Sequence, residues 1–474
     1  MKVVDFDNPV HYSWFADQGR RLDASSYLSG AYEARKLLEQ ANLPKEPLHM
    51  LTTGPEGGIY NGPKFRRIYV SDRSYGVPFM GSTDMLEADF SWLPLLSKKY
   101  ALQLPHLEVR PGTTLISCSG TVGRTAFVRP DMEGFWSSQH VMKVTPNPQR
   151  VPPGYLNAYL QSRFGVSIIS GSAYGAIIQH IEPQHIANLP VPRLDSELEN
   201  KINALIQDAA QLRANFQSKI QEATRDLFTS AGVPELADYS WHQHPRDLGF
   251  CVTSVDTTTL RAFNFSPRTH QIIDKLKSVP HKTLGDICQG GQLSRGNRFK
   301  RIDGDPAHGV RLVGQRQGFW IRPEGRWVIL NKEDLAMARV SNETVLIASQ
   351  GTLGENEVFC RALFVTGSWQ RNFVFSEHFL RIQSGDPDFP GAYLFALLRS
   401  EAIFRVLRSM STGGKQQDIH EELRKEIPVP ICTPEDRKRI AETVRQAYRD
   451  RDEADRREDE ALRLLEEAIR EAAR

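Results

Sequence analysis

Arginine, lysine and amide side chains gather in a few short stretches of this chain that are rich in glycine, serine and proline. In the N-terminal half the sets are Asn61, Lys64, Arg66, Arg67 and Arg73, then Arg124, Ser138 and Gln139, then Tyr174. In the C-terminal half they are Arg295, Asn297, Arg298, Lys300 and Arg301, then Arg316, Gln317, Arg371 and Asn372, then Lys415 and Gln416. Arg, Lys, Asn and Gln are the side chains best suited to base edges, whereas Ser, Thr, Lys, Arg and backbone N–H groups hold phosphates. The chemistry on offer is recognition of nucleic acid rather than bond-making. A single arginine of this kind is ordinarily a solvated surface charge, so the weight rests on the sets.

Bond-making motifs fail one by one. Ser411-Thr-Gly-Gly-Lys415 resembles a phosphate loop, but Gln416 stands where Ser or Thr should hold magnesium, and the spaced first glycine is missing. An amino-methyltransferase calls for an Asn/Asp-Pro-Pro-Tyr/Phe element, and the chain has only Val151-Pro-Pro-Gly-Tyr155. His242 with His244, and His180 with His185, lack Cys or carboxylate neighbours at ligand spacing. A nuclease needs clustered acids and a lysine around a metal, and no stretch repeats that arrangement. No cofactor, no metal and no catalytic residue is expected.

The 474 residues exceed one ordinary core, and 40% hydrophobic with 24% charged content describes globular domains. The five cysteines are scattered and never form a C-x-x-C pair, which argues against a disulfide framework or zinc ribbon and for a reducing cytoplasm. The start, MKVVDFDNPV, is acidic where a signal peptide needs an apolar core, and no apolar run approaches the roughly 18 residues of a membrane span. The net charge of +2 conceals an uneven distribution. Residues 246–326 carry 14 Lys/Arg against 7 Asp/Glu, whereas residues 435–474 carry 11 against 13. Basic charge lies in the globular part and the acidic offset in the tail.

The elements that must position these residues occur twice. Residues 61–82 parallel 295–315 at an offset near 233, pairing Phe65 with Phe299, Gly76 with Gly309 and Gly81 with Gly314. Gly120 and Gly123 stand opposite Gly351 and Gly354, each pair closing a short β-branched run that reads as a strand entering a tight turn. From there the offset holds at 238: Ser138/Ser376, His140/His378, Tyr155/Tyr393, Gly175/Gly413, Gln179/Gln417, Ile181/Ile419 and Pro190-Val-Pro192/Pro428-Val-Pro430. Residues 155–169 and 393–410 show helical spacing, and each copy stops at Pro-Val-Pro, where proline forbids further helix.

After each copy comes a long helix. Leu198, Ile202, Leu205, Ala209, Leu212, Phe216, Ile220, Ala223 and Leu227 recur at spacings of three and four without an intervening Gly or Pro. The second begins at Thr433-Pro-Glu-Asp436, with an N-cap, an N1 proline and first-turn acids. Its seam runs through Ile440, Val444, Ala447, Ala454, Ala461, Leu465 and Ala468 and is broken by Arg451 and Glu458. Thirty to forty helical residues span about 45–60 Å, so each helix is a spacer.

The expected fold class is α+β: two similar mixed α/β domains separated by two long antiparallel coiled-coil helices about a pseudo-twofold axis. The expected bounds are 1–195, 196–232, 233–432 and 433–474. Gly175-Ala-Ile-Ile-Gln179-His-Ile181 with Leu189-Pro-Val-Pro192, repeated as Gly413-Gly-Lys-Gln-Gln417-Asp-Ile419 with Ile427-Pro-Val-Pro430, resembles the specificity subunits of type I restriction-modification systems. The resemblance covers nearly the whole chain. It implies two target-recognition domains reading a bipartite stretch of double-stranded DNA, a non-catalytic role, and two adenine methyltransferase subunits docked on the helices, with room for a motor restriction subunit. Two features depart from the pattern: the lead over residues 10–40, with Tyr12 and Trp14, and the charged middle of the second helix at 449–460. They leave open a DNA-targeting or scaffolding subunit of another methylation-linked phage-defence complex.

Overall fold

The computed structural model describes residues 30–120, 122–173, 179–253 and 258–474. Tyr174, residues 175–178 of the first glycine motif, and the lead up to residue 29 lie outside the described residues. The chain divides into two compact units. One holds the residues up to Glu87, Leu93–Ala214 and Glu453–Arg474; the other holds Ala88–Trp92 and Asn215–Asp452.

The first unit begins with helix α1 (Ala31–Gln40), which buries Ala31, Ala34 and Leu38. Strands β1 (Lys45–Pro47), β2 (Ile59–Tyr60), β3 (Tyr69–Val70), β4 (Gly76–Met80), β5 (Leu95–Ser97), β6 (Thr114–Ser117), β7 (Thr125–Phe127), β8 (Trp136–Ser137) and β9 (Val141–Val144) follow. Helices α2 (Pro153–Gln161) and α3 (Arg163–Gly171) lead to β10 (Pro190–Pro192). Two four-stranded sheets result, β2-β9-β6-β7 and β3-β5-β4-β8, with the separate pair β1-β10. Among the described strands of this unit only β4 and β8 run parallel. The prolines of β10 are tolerated because its single partner, β1, leaves one side of the ribbon without a ladder. Ile116, Met142 and Val144 pack against Tyr155, Tyr159, Phe164 and Ile169 in one core.

Long helix α4 (Ser196–Ser230) leads to the second unit. There α5 (Pro267–Lys277), β11 (His281–Thr283), β12 (Gln292–Arg295), β13 (Ile302–Asp303), β14 (Val310–Val313), β15 (Arg326–Ile329) and α6 (Lys332–Ala338) come first. Next are β16 (Thr344–Ala348), β17 (Ala362–Val365), β18 (Phe373–Phe375), β19 (Phe379–Gln383), α7 (Gly391–Leu398) and α8 (Glu401–Ser409). A short β20 (Ser411–Thr412) and β21 (Asp418–Ile419) hairpin, β22 (Pro428–Pro430) and long helix α9 (Pro434–Ala472) complete the chain. The sheet orders are β12-β19-β16-β17 and β13-β15-β14-β18 with the pair β11-β22, each the counterpart of one in the first unit. Both units are mixed α/β.

Strand pairing reproduces the repeat offsets residue by residue. Met80 pairs with Ser137 as Val313 pairs with Phe375, offsets of 233 and 238. Ile116 pairs with Met142 as Ile347 pairs with Leu380. Tyr155 donates its hydroxyl to the Pro192 carbonyl at 2.5 Å, and Tyr393 donates to that of Pro430 at 2.8 Å. The lead finds a partial counterpart as well, since α1 precedes β1 as α5 precedes β11.

Three local expectations change. Residues 155–169 and 393–410 each form two helices rather than one. Ser162 caps the second by accepting from the Gly165 N–H at 3.3 Å, and Ser400 does so from Ile403 at 3.2 Å. Of the turn glycines, Gly123 and Gly413 have φ of 91° and 94°, where a side chain would be strained, while Gly81 and Gly354 do not adopt positive φ.

The breaks in the α9 seam are the third change. In the first unit, Ile202 and Ile206 of α4 share a core with Ala461, Leu465 and Ile469 of α9. Arg213 lies on the same buried line and meets Glu458 at 2.7 Å and Asp455 at 2.9 Å. Burial works against its charge, but the two carboxylates outweigh that and hold it protonated. In the second unit, Phe216 packs edge-on to Tyr448 at 5.1 Å, and Ile220, Ile440 and Val444 are buried. There Lys219 meets Asp450 and Asp226 meets Arg439, so partner numbers fall as α4 advances and the helix pair is antiparallel. Arg451, 1% exposed, is bonded to Asp452 and stacks 4.0 Å over Trp369. Leu198, Leu205 and Leu212 are half-buried, at the edge of the line.

The second unit also takes in Ala88–Trp92, from between β4 and β5. Asp89 meets Arg399 at 2.6 Å and accepts from Gln217 at 3.0 Å. Burial raises the Asp89 pKa, but Arg399 and the hydrogen bonds from Ser91 and Gln217 outweigh it and bring it to about 2.

Candidate nucleic-acid interface

In the first unit Lys64, Arg66 and Arg67 stand on the loop from β2 to β3, and Ser138 and Gln139 on the short turn from β8 to β9. A Cβ on Gly62 would meet the Leu107 side chain at 2.0 Å, so the loop lies tight over the core. Phe65 anchors it, its ring 6.0 Å from that of Phe79 and edge-on. With Phe65 turned in, Lys64 and Arg66 are left exposed, and neither makes a hydrogen bond or ion pair to a described residue. Arg67 donates to Gln139 Oε1 at 3.1 Å and lies 5.4 Å from the Phe79 ring centre.

Ser138 is buried and its Oγ accepts from the His140 N–H at 3.3 Å, which fixes the turn carrying Gln139. Burial, and then the charges of Arg67, His180 and Lys64, pull the His140 pKa below its ordinary value. These groups therefore form one electrostatic neighbourhood. Asn61, half-buried at its edge, keeps Oδ1 without a hydrogen bond. Arg73, in the β3–β4 turn, and half-buried Arg124, in the β6–β7 turn, stand on other loops.

The second unit builds the same rim with more charge. Phe299 is tucked against Leu312, Val328, Ala338 and Val374, while Arg298 and Lys300 on either side are exposed and unpaired among the described residues. Arg301 donates to Glu377 Oε2 at 2.5 Å and lies 6.0 Å from the Phe299 ring centre. Arg295 pairs with Asp418 at 2.8 Å, and Asn297 donates to the Met337 sulfur at 3.4 Å. His378 Nδ1 meets Gln350 Oε1 at 2.5 Å, and Gln315 holds the Gln350 backbone through its amide oxygen at 3.1 Å and nitrogen at 2.6 Å. The His378 pKa is also lowered, by burial foremost; Glu377 opposes this and Arg301, Arg295 and Arg298 add to it.

Arg316 and Gln317 are half-buried on the helical turn Gln315–Gly318. Arg371 and Asn372 are exposed at the end of the short helix Gly367–Asn372, and Lys415 and Gln416 are exposed in the β20–β21 turn. The last turn is braced by Gln417, whose Nε2 donates to the Gly414 carbonyl. Structure thus gathers Lys64, Arg67 and Gln139 in one unit and Arg295, Arg298 and Arg301 in the other.

Sequence reasoning passed over His140, His378, Glu377, Gln350 and Gln315. The repeat carried a signal for most of them: the two histidines match at 238, and Glu377 is the counterpart of Gln139. An acid is simply not sought where phosphate is expected. Among the described residues no three His, Cys, Asp or Glu side chains converge as metal ligands, and no helix is long and apolar enough to cross a membrane.

No family model matches the chain, and no curated protein matches it. Three solved structures are similar to it. The S subunit of a type I restriction-modification system from M. genitalium is 12% identical, over 91% of this chain and 96% of that one, with a TM-score of 0.36. A chain from work on complex assembly and conformational transition of the type I R-M system is 13% identical over 91% and 99%, with a TM-score of 0.27. The HsdS subunit from Thermoanaerobacter tengcongensis is 13% identical over 90% and 96%, with a TM-score of 0.26. A likeness of this size carries no argument about function, which has to come from the chain's own residues.

Proposed function

We propose that this chain is a sequence-specific DNA-recognition subunit that reads a bipartite target, one half-site per unit, and leaves catalysis to its partners. The observation that carries the proposal is the basic rim built twice on the same strand order. In both units an inward phenylalanine is flanked by free cations, and an arginine two residues later is tied to the turn before β9 or β19. Two such rims in one chain suit two separated stretches of duplex, with phosphate contacts supplying affinity and base contacts supplying sequence choice.

On this reading the recognition domains are 1–195 and 233–432, the helices 196–232 and 433–474 space them, and two adenine methyltransferase subunits dock on the helices. A motor restriction subunit has room to join, and the assembly works on genomic DNA in the cytoplasm. The test is enrichment from random duplex pools at moderate salt, using the full chain purified with its neighbouring methyltransferase. A two-part motif with a fixed gap is the expected result, and salt-sensitive binding without any motif refutes it. Inserting one helical turn, about four residues, into both long helices should lengthen the gap and leave the half-site sequences unchanged.

A further inference from the structure

We infer that Arg67 and Arg301 are the base-reading arginines of the two units, each selecting a guanine, and that Lys64, Arg66, Arg298 and Lys300 around them hold phosphates. This rests on the DNA-recognition reading and divides its residues by role.

The two kinds of cation differ in how they are held. Lys64, Arg66, Arg298 and Lys300 are exposed, and no described residue hydrogen-bonds or pairs with them. Such side chains are not held to one orientation by a protein partner, which suffices for a phosphate, since a phosphate accepts from many directions. Arg67 and Arg301 are tied to Gln139 and Glu377, and each guanidinium lies within 6.0 Å of an aromatic ring centre. Guanine recognition needs a planar fork presented at a set angle to O6 and N7, and a hydrogen bond to one edge of the guanidinium supplies that orientation.

Charge separates the roles further in the second unit. Glu377, whose side chain is 13% exposed, lies 2.5 Å from Arg301 and offsets its charge. That pairing weakens Arg301 as a counter-ion for phosphate and leaves its remaining N–H donors free for a base edge. The tether occurs in both units, as an amide in one and as a carboxylate in the other. Glu377 and Gln139 are positioning residues; they orient the reader and need not touch DNA.

The experiment compares motifs enriched by the full chain and by four variants. R301K keeps the charge and loses the fork, so one guanine of one half-site should lose about 5- to 100-fold of its preference while the other half-site and the salt dependence stay unchanged. E377A should relax the same position, and E377Q, which restores the acceptor that Gln139 provides in the first unit, should recover it. The double variant R298A/K300A should weaken all duplexes alike and flatten the slope of log affinity against log salt by about two. An R301K motif identical to that of the unsubstituted chain overturns the assignment, as does a change of motif in R298A/K300A. If the unsubstituted chain enriches no motif, the DNA-recognition reading falls, and this inference with it.

Discussion

Lys143 and Arg381 occupy the same register position on β9 and β19, and the two units treat them differently. Arg381 donates to the carbonyls of Met337 and Arg339 at 2.6 and 3.3 Å, meeting acceptors at the end of α6. Lys143 is fully buried, lies 5.4 Å from the centre of the Tyr60 ring, and has no hydrogen-bond partner for its amine among the described residues. Burial pushes its pKa down from 10.5 to about 8, opposed by Cys118. The two copies kept the strand order and diverged in their buried polar chemistry. A buried cation can be retained by finding carbonyls, by finding acids, as Arg213 does, or by paying in stability.

The largest effect belongs to the acid-paired cation. Glu458→Ala should take the closer carboxylate from buried Arg213, leaving it to Asp455, and cost about 3 kcal/mol of stability by denaturant unfolding, whereas replacing both Arg213 and Glu458 by apolar residues of similar volume should recover most of it. A loss as large in the double variant would show that the charges themselves are needed. Next, Arg381→Met should leave carbonyls of α6 unmet and cost about 2–3 kcal/mol, while Lys143→Met at the equivalent place should stabilise by about 1–3 kcal/mol. Losses of equal size at both positions would break the comparison.

A pH series sharpens the same contrast. With its folded pKa below its unfolded one, Lys143 is the more readily protonated in the unfolded chain, so stability should rise as pH goes from about 8 to about 10.5. The full cost, below that window, is on the order of 3 kcal/mol. Lys143→Met should remove the rise, and an unchanged pH dependence in thermal unfolding would contradict it. The smallest effects test what the copies share: Tyr155→Phe and Tyr393→Phe each remove a hydrogen bond to a proline carbonyl, Tyr393→Phe with it a weaker one to Cys432 Sγ at 3.2 Å, and each should cost about 1 kcal/mol. Markedly unequal costs would mean that the shared bond sits in unlike surroundings.

Much of the scaffold was legible because its causes are local. The runs at Thr114–Ser117 and Thr344–Ala348 announce strands by β-branching, and Thr433 before Pro434 announces a helix start, where its Oγ accepts from the Asp436 N–H at 3.1 Å. The serine caps that split 155–169 and 393–410 were also local signals, but a continuous apolar pattern masked them. Of the site, the stretches carrying Lys64 to Arg67 and Arg298 to Arg301 stood out by composition, and the repeat gave their correspondence. Glu377 did not stand out, since a carboxylate near a phosphate reads as an error until its arginine is seen.

By itself the sequence determined that two like domains each precede a long helix, because periodicity, capping and turn chemistry act over a few residues and survive duplication in register. Only the tertiary structure decided which charges are free and which are tied. Arg67 reaches Gln139 across 72 residues and Arg213 reaches Glu458 across 245. No local preference specifies such a pair; it forms because packed strands and helices bring distant segments together, and burial then makes the partner obligatory.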